Sequence, residues 1–149
     1  MTEEKLYHGN VGEYAVIFNG EGNLLLLRYQ GQHEAMNGKW HLPGGRFDAN
    51  DEAGKAIVRE IEEETGLKNI EVIIPCSVSR WGLFNSKRYN VAFIAQVTGT
   101  PDVYLDPNEC HDKAEWVTPA EAMTRTYTFP EKKAMVETCI AWAKKLEII

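Results

Sequence analysis

The chain has 149 residues, a formal net charge of −6, 44% hydrophobic and 26% charged residues. That length and balance suit one soluble globular domain, 1–149, long enough to bury a core. The acidic balance argues against duplex nucleic acid as a partner, and no apolar run approaches the length of a membrane span. Residues Met1 to Lys5 are polar and lack the apolar core of a signal peptide. Cys76, Cys110 and Cys139 are odd in number and without metal-ligand spacing, which fits reduced thiols in a cytoplasmic protein.

In chain order, Ala15 to Phe18 and Leu24 to Leu27 flank the turn-rich Asn19 to Asn23. They predict a β-hairpin whose continuous apolar runs are buried on both faces. Residues 30 to 39 read as a loop. Trp40 to Leu42 end a strand in a Pro43-Gly44-Gly45 turn, and residues 46 to 50 lead into an acidic helix over residues 51 to 65. Asn50 and Asp51 suit its N-cap and Gly66 its C-terminal stop. Ile70 to Ile74 and Cys76 to Arg80 read as strand, with Pro75 marking an edge or a bulge. Arg88 to Val97 is a further strand, Thr98 to His111 a loop and Glu115 to Val117 a short strand. Thr118 and Pro119 open a helix, and Pro130 opens the last one. There Met135, Cys139, Trp142 and Leu146, joined by Val136, Ile140 and Ala143, form an apolar stripe. It suits packing against a sheet, with a partner-binding helix as the alternative. Strands interleaved with helices give an α/β fold, an α/β/α layering around a mixed sheet.

The acidic helix carries the chemistry. Glu60, Glu63 and Glu64 stand three and four residues apart, so they stack along one stripe where like charges repel. Stepping about 100° per residue, Ala53, Ala56, Ile57 and Ile61 share the side of Glu60, and Glu64 projects between Ile57 and Glu60. Glu52, Lys55, Arg59 and Glu62 make the wet face. The stripe is either a solvated acidic face or a ligand set for a hard divalent cation, since an unpaired carboxylate at a buried position is costly. The paired glycines before it permit the close backbone approach that a phosphate-lining loop requires.

With its fixed spacing, Gly45, Asp51, Arg59-Glu60-Ile61, Glu63-Glu64 and Gly66-Leu67 resembles the Nudix box, with Asp51 where that family usually has Glu. The resemblance implies the Nudix α/β/α sandwich and cleavage of a pyrophosphate bond in a nucleoside diphosphate linked to another group. It implies Gly45, Glu60, Glu63 and Glu64 as ligands of Mg²⁺, with Mn²⁺ as the alternative, and Arg59 as the residue that holds the loop and orients a glutamate. Glu63 and Glu109 are candidates for the general base, as are His111 and Asp112. Arg28, with Gly44 and Gly45, is the candidate substrate contact, and Trp81, Phe84, Tyr89, Tyr127 and Phe129 are candidates for stacking a base. His8, His33 and His41 carry no pairing pattern and read as structural or solvated.

Subfamilies that prefer ADP-ribose often carry Pro where this chain has Trp81, and dinucleoside-polyphosphate types often carry Tyr near Gly82 to Phe84. By elimination the expected substrate is a nucleoside triphosphate, modified ones included, giving the monophosphate and pyrophosphate. Hydrolysis of ADP-ribose or a nucleotide sugar, and a non-catalytic nucleotide-binding module, are the alternatives. A homodimer is compatible with the apolar last helix.

Overall fold

The computed structural model describes residues 9–48, 50–83 and 87–149. His8, Phe84 and the polar N-terminus lie outside the described residues. Among the described residues seven strands form one mixed sheet: β1 (Val11–Phe18), β2 (Leu24–Tyr29), β3 (Trp40–His41), β4 (Gly44–Arg46), β5 (Glu71–Trp81), β6 (Arg88–Gln96) and β7 (His111–Val117). The order is β3-β2-β1-β6-β5, with β4 on β1 and β7 on β2. β1 runs parallel to β6, while its pairings with β2 and β4 are antiparallel.

Alternation along β1 sorts the core into two clusters. Tyr14, Val16 and Phe18 face one side, where Met135, Val136, Cys139, Ile140 and Ala143 of α3 (Pro130–Lys145) cover them, with Ala122 of α2 (Pro119–Thr124). Ala15 and Ile17 face the other, against Ile57 and Ile61 of α1 (Lys55–Thr65). Ile57 and Ile61 are fully buried; each contributes about 2 kcal/mol by leaving water. Helices on both faces make the layered sandwich expected from the sequence.

Several local expectations hold. Thr118 caps α2 in a reciprocal box with Glu121, Pro119 opens it, and Gly66 ends α1 in the left-handed region at φ 69°. Pro75 lies in the edge strand β5, beside two register shifts. The β1–β2 hairpin forms, but it pairs only at Phe18 and Leu24 before the strands diverge to β4 and β7. β7 begins at His111, earlier than the short strand expected from Glu115.

Three expectations are corrected. α1 begins at Lys55 behind Gly54, not at Asp51, because the Asp51 carboxylate is engaged by the Asp48 N–H and by Arg59. Ala53 therefore precedes the helix and is exposed. In α3 the buried seam runs through Lys132, Met135, Val136, Cys139, Ile140 and Ala143. That seam leaves Trp142 at its border, 44% exposed under Lys145, and Leu146 beyond the last turn. Finally, Gly44 and Gly45 are not a turn but the strand β4, with Gly44 opposite Tyr14 and Gly45 opposite Glu13.

Only a missing side chain allows that approach. Gly44 has φ 152°, and a Cβ there would strike the Glu13 carbonyl and lie 2.7 Å from Tyr14 Cα. Gly38, at φ 78°, faces open space. Gly44→Ala is expected to lose roughly 2–4 kcal/mol of unfolding free energy, and Gly38→Ala only about 1 kcal/mol of backbone strain. Urea unfolding of the two variants checks this, and equal losses would contradict the close packing of β4 on β1.

Candidate active site

α1 presents its carboxylates to the junction of β1 and β4. Glu64 is buried, and its Oε2 accepts the Gly44 N–H at 3.3 Å. Burial pushes its carboxyl up to about 8; the Gly44 N–H opposes this, and the charges of Glu109 and Glu60 reinforce it. Glu60 lies against Gly45, whose Cβ position is 3.1 Å from Glu60 Oε2. Burial, then the Glu63 charge, raises the Glu60 carboxyl too. Glu63 stands outermost, its side chain 58% exposed.

Arg59 ties this group together from the wet side. It grips Asp51 with two bonds of 2.9 and 3.3 Å and lies 3.6 Å from Glu60 and 3.8 Å from Glu63. Asp51, one methylene shorter than Glu, still meets Arg59 with both carboxylate oxygens. The loop before β7 closes over the end of α1, with the Tyr104 N–H on the Thr65 carbonyl and the Asp106 N–H on that of Glu64. This brings exposed Glu109 close enough for its charge to act on Glu60 and Glu64.

Among the described residues no three His, Cys, Asp or Glu side chains converge into a cation cage. Arg59 draws Glu60 and Glu63 outward while the Gly44 N–H holds Glu64 inward. The donor set nevertheless fits a hard divalent cation. Buried Glu64 and half-buried Glu60, both with raised proton affinity, act on each other beside the glycines of β4, and among the described residues Glu64 has no cation in contact with it.

The remaining candidates separate. Arg28 commits its guanidinium to Asp112 at 2.8 and 3.0 Å, across the pairing of β2 with β7. The Gly44 N–H is spent on Glu64, so it is not free for a phosphate. Trp81 and Phe129 line a cleft of about 330 Å³ with Tyr14, Tyr29, Arg88 and Lys132. Tyr127 is instead a core residue bonded to the Ala122 carbonyl, and Tyr89 lies on the surface near Arg80. His33 and His41, expected to be structural or solvated, line the same cleft. His111 packs on His41 with ring centroids 4.5 Å apart, and burial followed by the Lys132 charge lowers it to about 4.

Sequence reasoning missed two buried charged residues. Glu13 is buried on β1, its Oε1 3.5 Å from the Gly54 N–H, and burial raises its carboxyl. Its place before an apolar strand, in step with Ala15 and Ile17, was the available signal. Lys132 is buried on α3, where burial, aided by the Arg88 charge and opposed by that of Glu64, lowers its ammonium to about 7. Helical spacing from Val136 and Cys139 would have put it on the covered stripe.

The family description "NUDIX domain" matches residues 10–139. The chain belongs to the Nudix hydrolase family. The RNA pyrophosphohydrolase of Sodalis glossinidius is 37% identical over 81 residues, 54% of this chain and 42% of that protein. A Caenorhabditis elegans relative carrying the nudix hydrolase name is 33% identical over 112 residues, 73% of this chain. The chain spans 29% of the length of that relative and 42% of the bacterial one. An Ap4A hydrolase structure from C. elegans superposes with TM-score 0.75 at 18% identity, covering 91% of this chain and 98% of that one. A NUDIX hydrolase from Nitrosomonas europaea gives 0.72 at 23% identity, covering 95% and 96%. Both show the same fold. Among the described residues no helix is long and apolar enough to cross a membrane.

The Glu64 carboxyl makes stability depend on pH. Between its ordinary value of 4.5 and about 8, the folded protein keeps a proton that the unfolded chain releases. Its contribution is therefore complete below 4.5 and lost as pH rises through 8. Neutral His41 and His111 act with the opposite sign in acid, and Lys132 does so above about 7. The telling quantity is thus wild type minus Glu64→Gln, measured in chelator. That difference is expected to fall by roughly 2–4 kcal/mol from pH 5 to 8; a flat difference would contradict the burial of this carboxyl.

Proposed function

We propose that the protein hydrolyses the pyrophosphate bond of nucleoside triphosphates, chemically modified ones included, releasing the monophosphate and pyrophosphate. The observation that carries this reading is Glu64, buried on α1 with the Gly44 N–H on its carboxylate, one helical turn from Glu60 at Gly45. A structural role would replace such a carboxylate with an apolar residue, because burying it costs stability. The names of the relatives differ in substrate, so they support the reaction class more than the nucleotide.

In this reading Glu60, Glu63, Glu64 and the Gly45 carbonyl hold Mg²⁺, or Mn²⁺ in its place. Such a cation, when bound, would supply charge neutralisation for a diphosphate and a more acidic water. The Gly44 N–H fixes the inward oxygen of Glu64, and Arg59 positions Glu60 and Glu63 while anchoring the box loop through Asp51. Glu63 and Glu109, both open to solvent, are the groups able to take the proton of the attacking water. Arg46, exposed on β4 one residue past Gly45 and lining the cleft, is better placed than Arg28 to meet a phosphate. The whole chain, 1–149, acts as one domain.

A panel of nucleoside triphosphates, ADP-ribose and nucleotide sugars, incubated with Mg²⁺ in ¹⁸O-labelled water, tests the proposal. Monophosphate and pyrophosphate are the expected products, and Glu64→Gln should reduce turnover by about 10²–10⁴-fold while the fold persists. Full activity in that variant, or no product from any compound, would overturn the assignment.

A further inference from the structure

The cleft on the α3 side has a one-sided chemistry. Its walls are aromatic: Tyr14 and Trp81 lie 5.5 Å apart, with Phe129 and Tyr29 beside them. Its charged groups are all cations, Lys132, Arg88 and Arg46. Lys132 Nζ donates to Thr128 Oγ1 at 3.1 Å and sits 5.0, 5.9 and 5.6 Å from the rings of Tyr14, Trp81 and Phe129. An ammonium has three protons to donate. Arg88 spends Nη2 on the Tyr14 hydroxyl at 3.2 Å, and its Nε is buried without a partner, as is His41 Nε2. Among the described residues lining the cleft none is Asp or Glu, although the protein as a whole is acidic.

Buried donors facing aromatic walls call for a flat ligand that brings acceptors. The volume of about 330 Å³ is at the lower end of the roughly 300–1,000 Å³ of small-molecule sites, enough for one ring system. The cleft also adjoins the carboxylates. Tyr14 follows Glu13 on β1, Arg46 follows Gly45 on β4, and the charges of Glu64 and Lys132 act on each other. A ring held here would carry its phosphates towards α1.

We infer that this cleft selects a nucleobase whose edge presents a carbonyl oxygen, and that Lys132 is the specificity-determining residue, donating to that oxygen. The inference rests on the nucleotide-hydrolase reading. A base presenting an amino group at that position would set donor against donor and leave the buried ammonium unsatisfied. The aromatic walls accept any base, so Lys132 is the discriminating element.

Equilibrium binding of monophosphates in chelator, followed by calorimetry, tests this without requiring hydrolysis. Inosine against adenosine monophosphate and uridine against cytidine monophosphate each exchange a carbonyl for an amino group. The carbonyl member of at least one pair is expected to bind about tenfold more tightly, and Lys132→Met to bring that ratio within about twofold. Equal binding within both pairs by the wild type, binding of no monophosphate, or a preference that survives Lys132→Met would overturn the inference. Should Lys132→Met fail to fold, Lys132→Gln, whose amide both donates and accepts, takes its place with the same expected loss of preference and the same contrary result. Loss of triphosphate hydrolysis with the binding preference intact would instead sink the nucleotide-hydrolase reading alone.

Discussion

A carboxyl group removed from water must keep its proton or find positive charge, and Glu64 is placed where that choice cannot be avoided. It sits on the covered side of α1 among Ile57, Ile61 and Thr65, with one backbone N–H for company. Arg59 does not neutralise it, because that guanidinium serves Asp51, Glu60 and Glu63 on the outer side. Lys132 acts on it only at a distance. The glycines of β4 answer to the same constraint. Side chains there would push β4 from β1 and crowd Glu60, opening the junction that keeps Glu64 from water.

β1 joins the two halves of the site. Its alternation sends Glu13 towards α1 and Tyr14 towards α3, so neighbouring residues belong to regions of opposite character. One side gathers Glu13, Glu60, Glu63 and Glu64. The other gathers Lys132, Arg88 and Arg46 among aromatic rings. A nucleotide would set its neutral acceptor-bearing ring against the cationic side and, through bound cations, its phosphate oxygens against the acidic one. The net charge of −6 conceals this division, since it averages an acid-rich helix with an acid-free cleft.

The carboxylate stripe was legible because it is local. Residues 45 to 67 carry their own spacing, and a helix converts that spacing into geometry without help from the rest of the chain. The sandwich was legible for a related reason, since apolar runs and interleaved helices leave few layerings. Helix starts were less legible. Asp51 is a good cap by type, but a tertiary ion pair with Arg59 claimed it. Trp142 matched the helical period and still lies outside, because the sheet meets α3 along a seam centred nearer Cys139 and Ala143. The cleft was the least legible part: Tyr14, His41, Trp81, Arg88 and Lys132 come from five separate elements. Lys132, a charged residue among buried neighbours, was its local trace, as Glu13 was of the acidic side.

On the proposed function, Glu64 and its neighbours exchange protons for a divalent cation. Titrating the protein with Mg²⁺ at pH 7 in two buffers of unlike ionisation enthalpy measures that exchange directly. Binding accompanied by release of about one proton per ion, with the release lost in Glu64→Gln, is the expected result. Absence of Mg²⁺ binding, or binding with proton release unchanged in that variant, would contradict the claim.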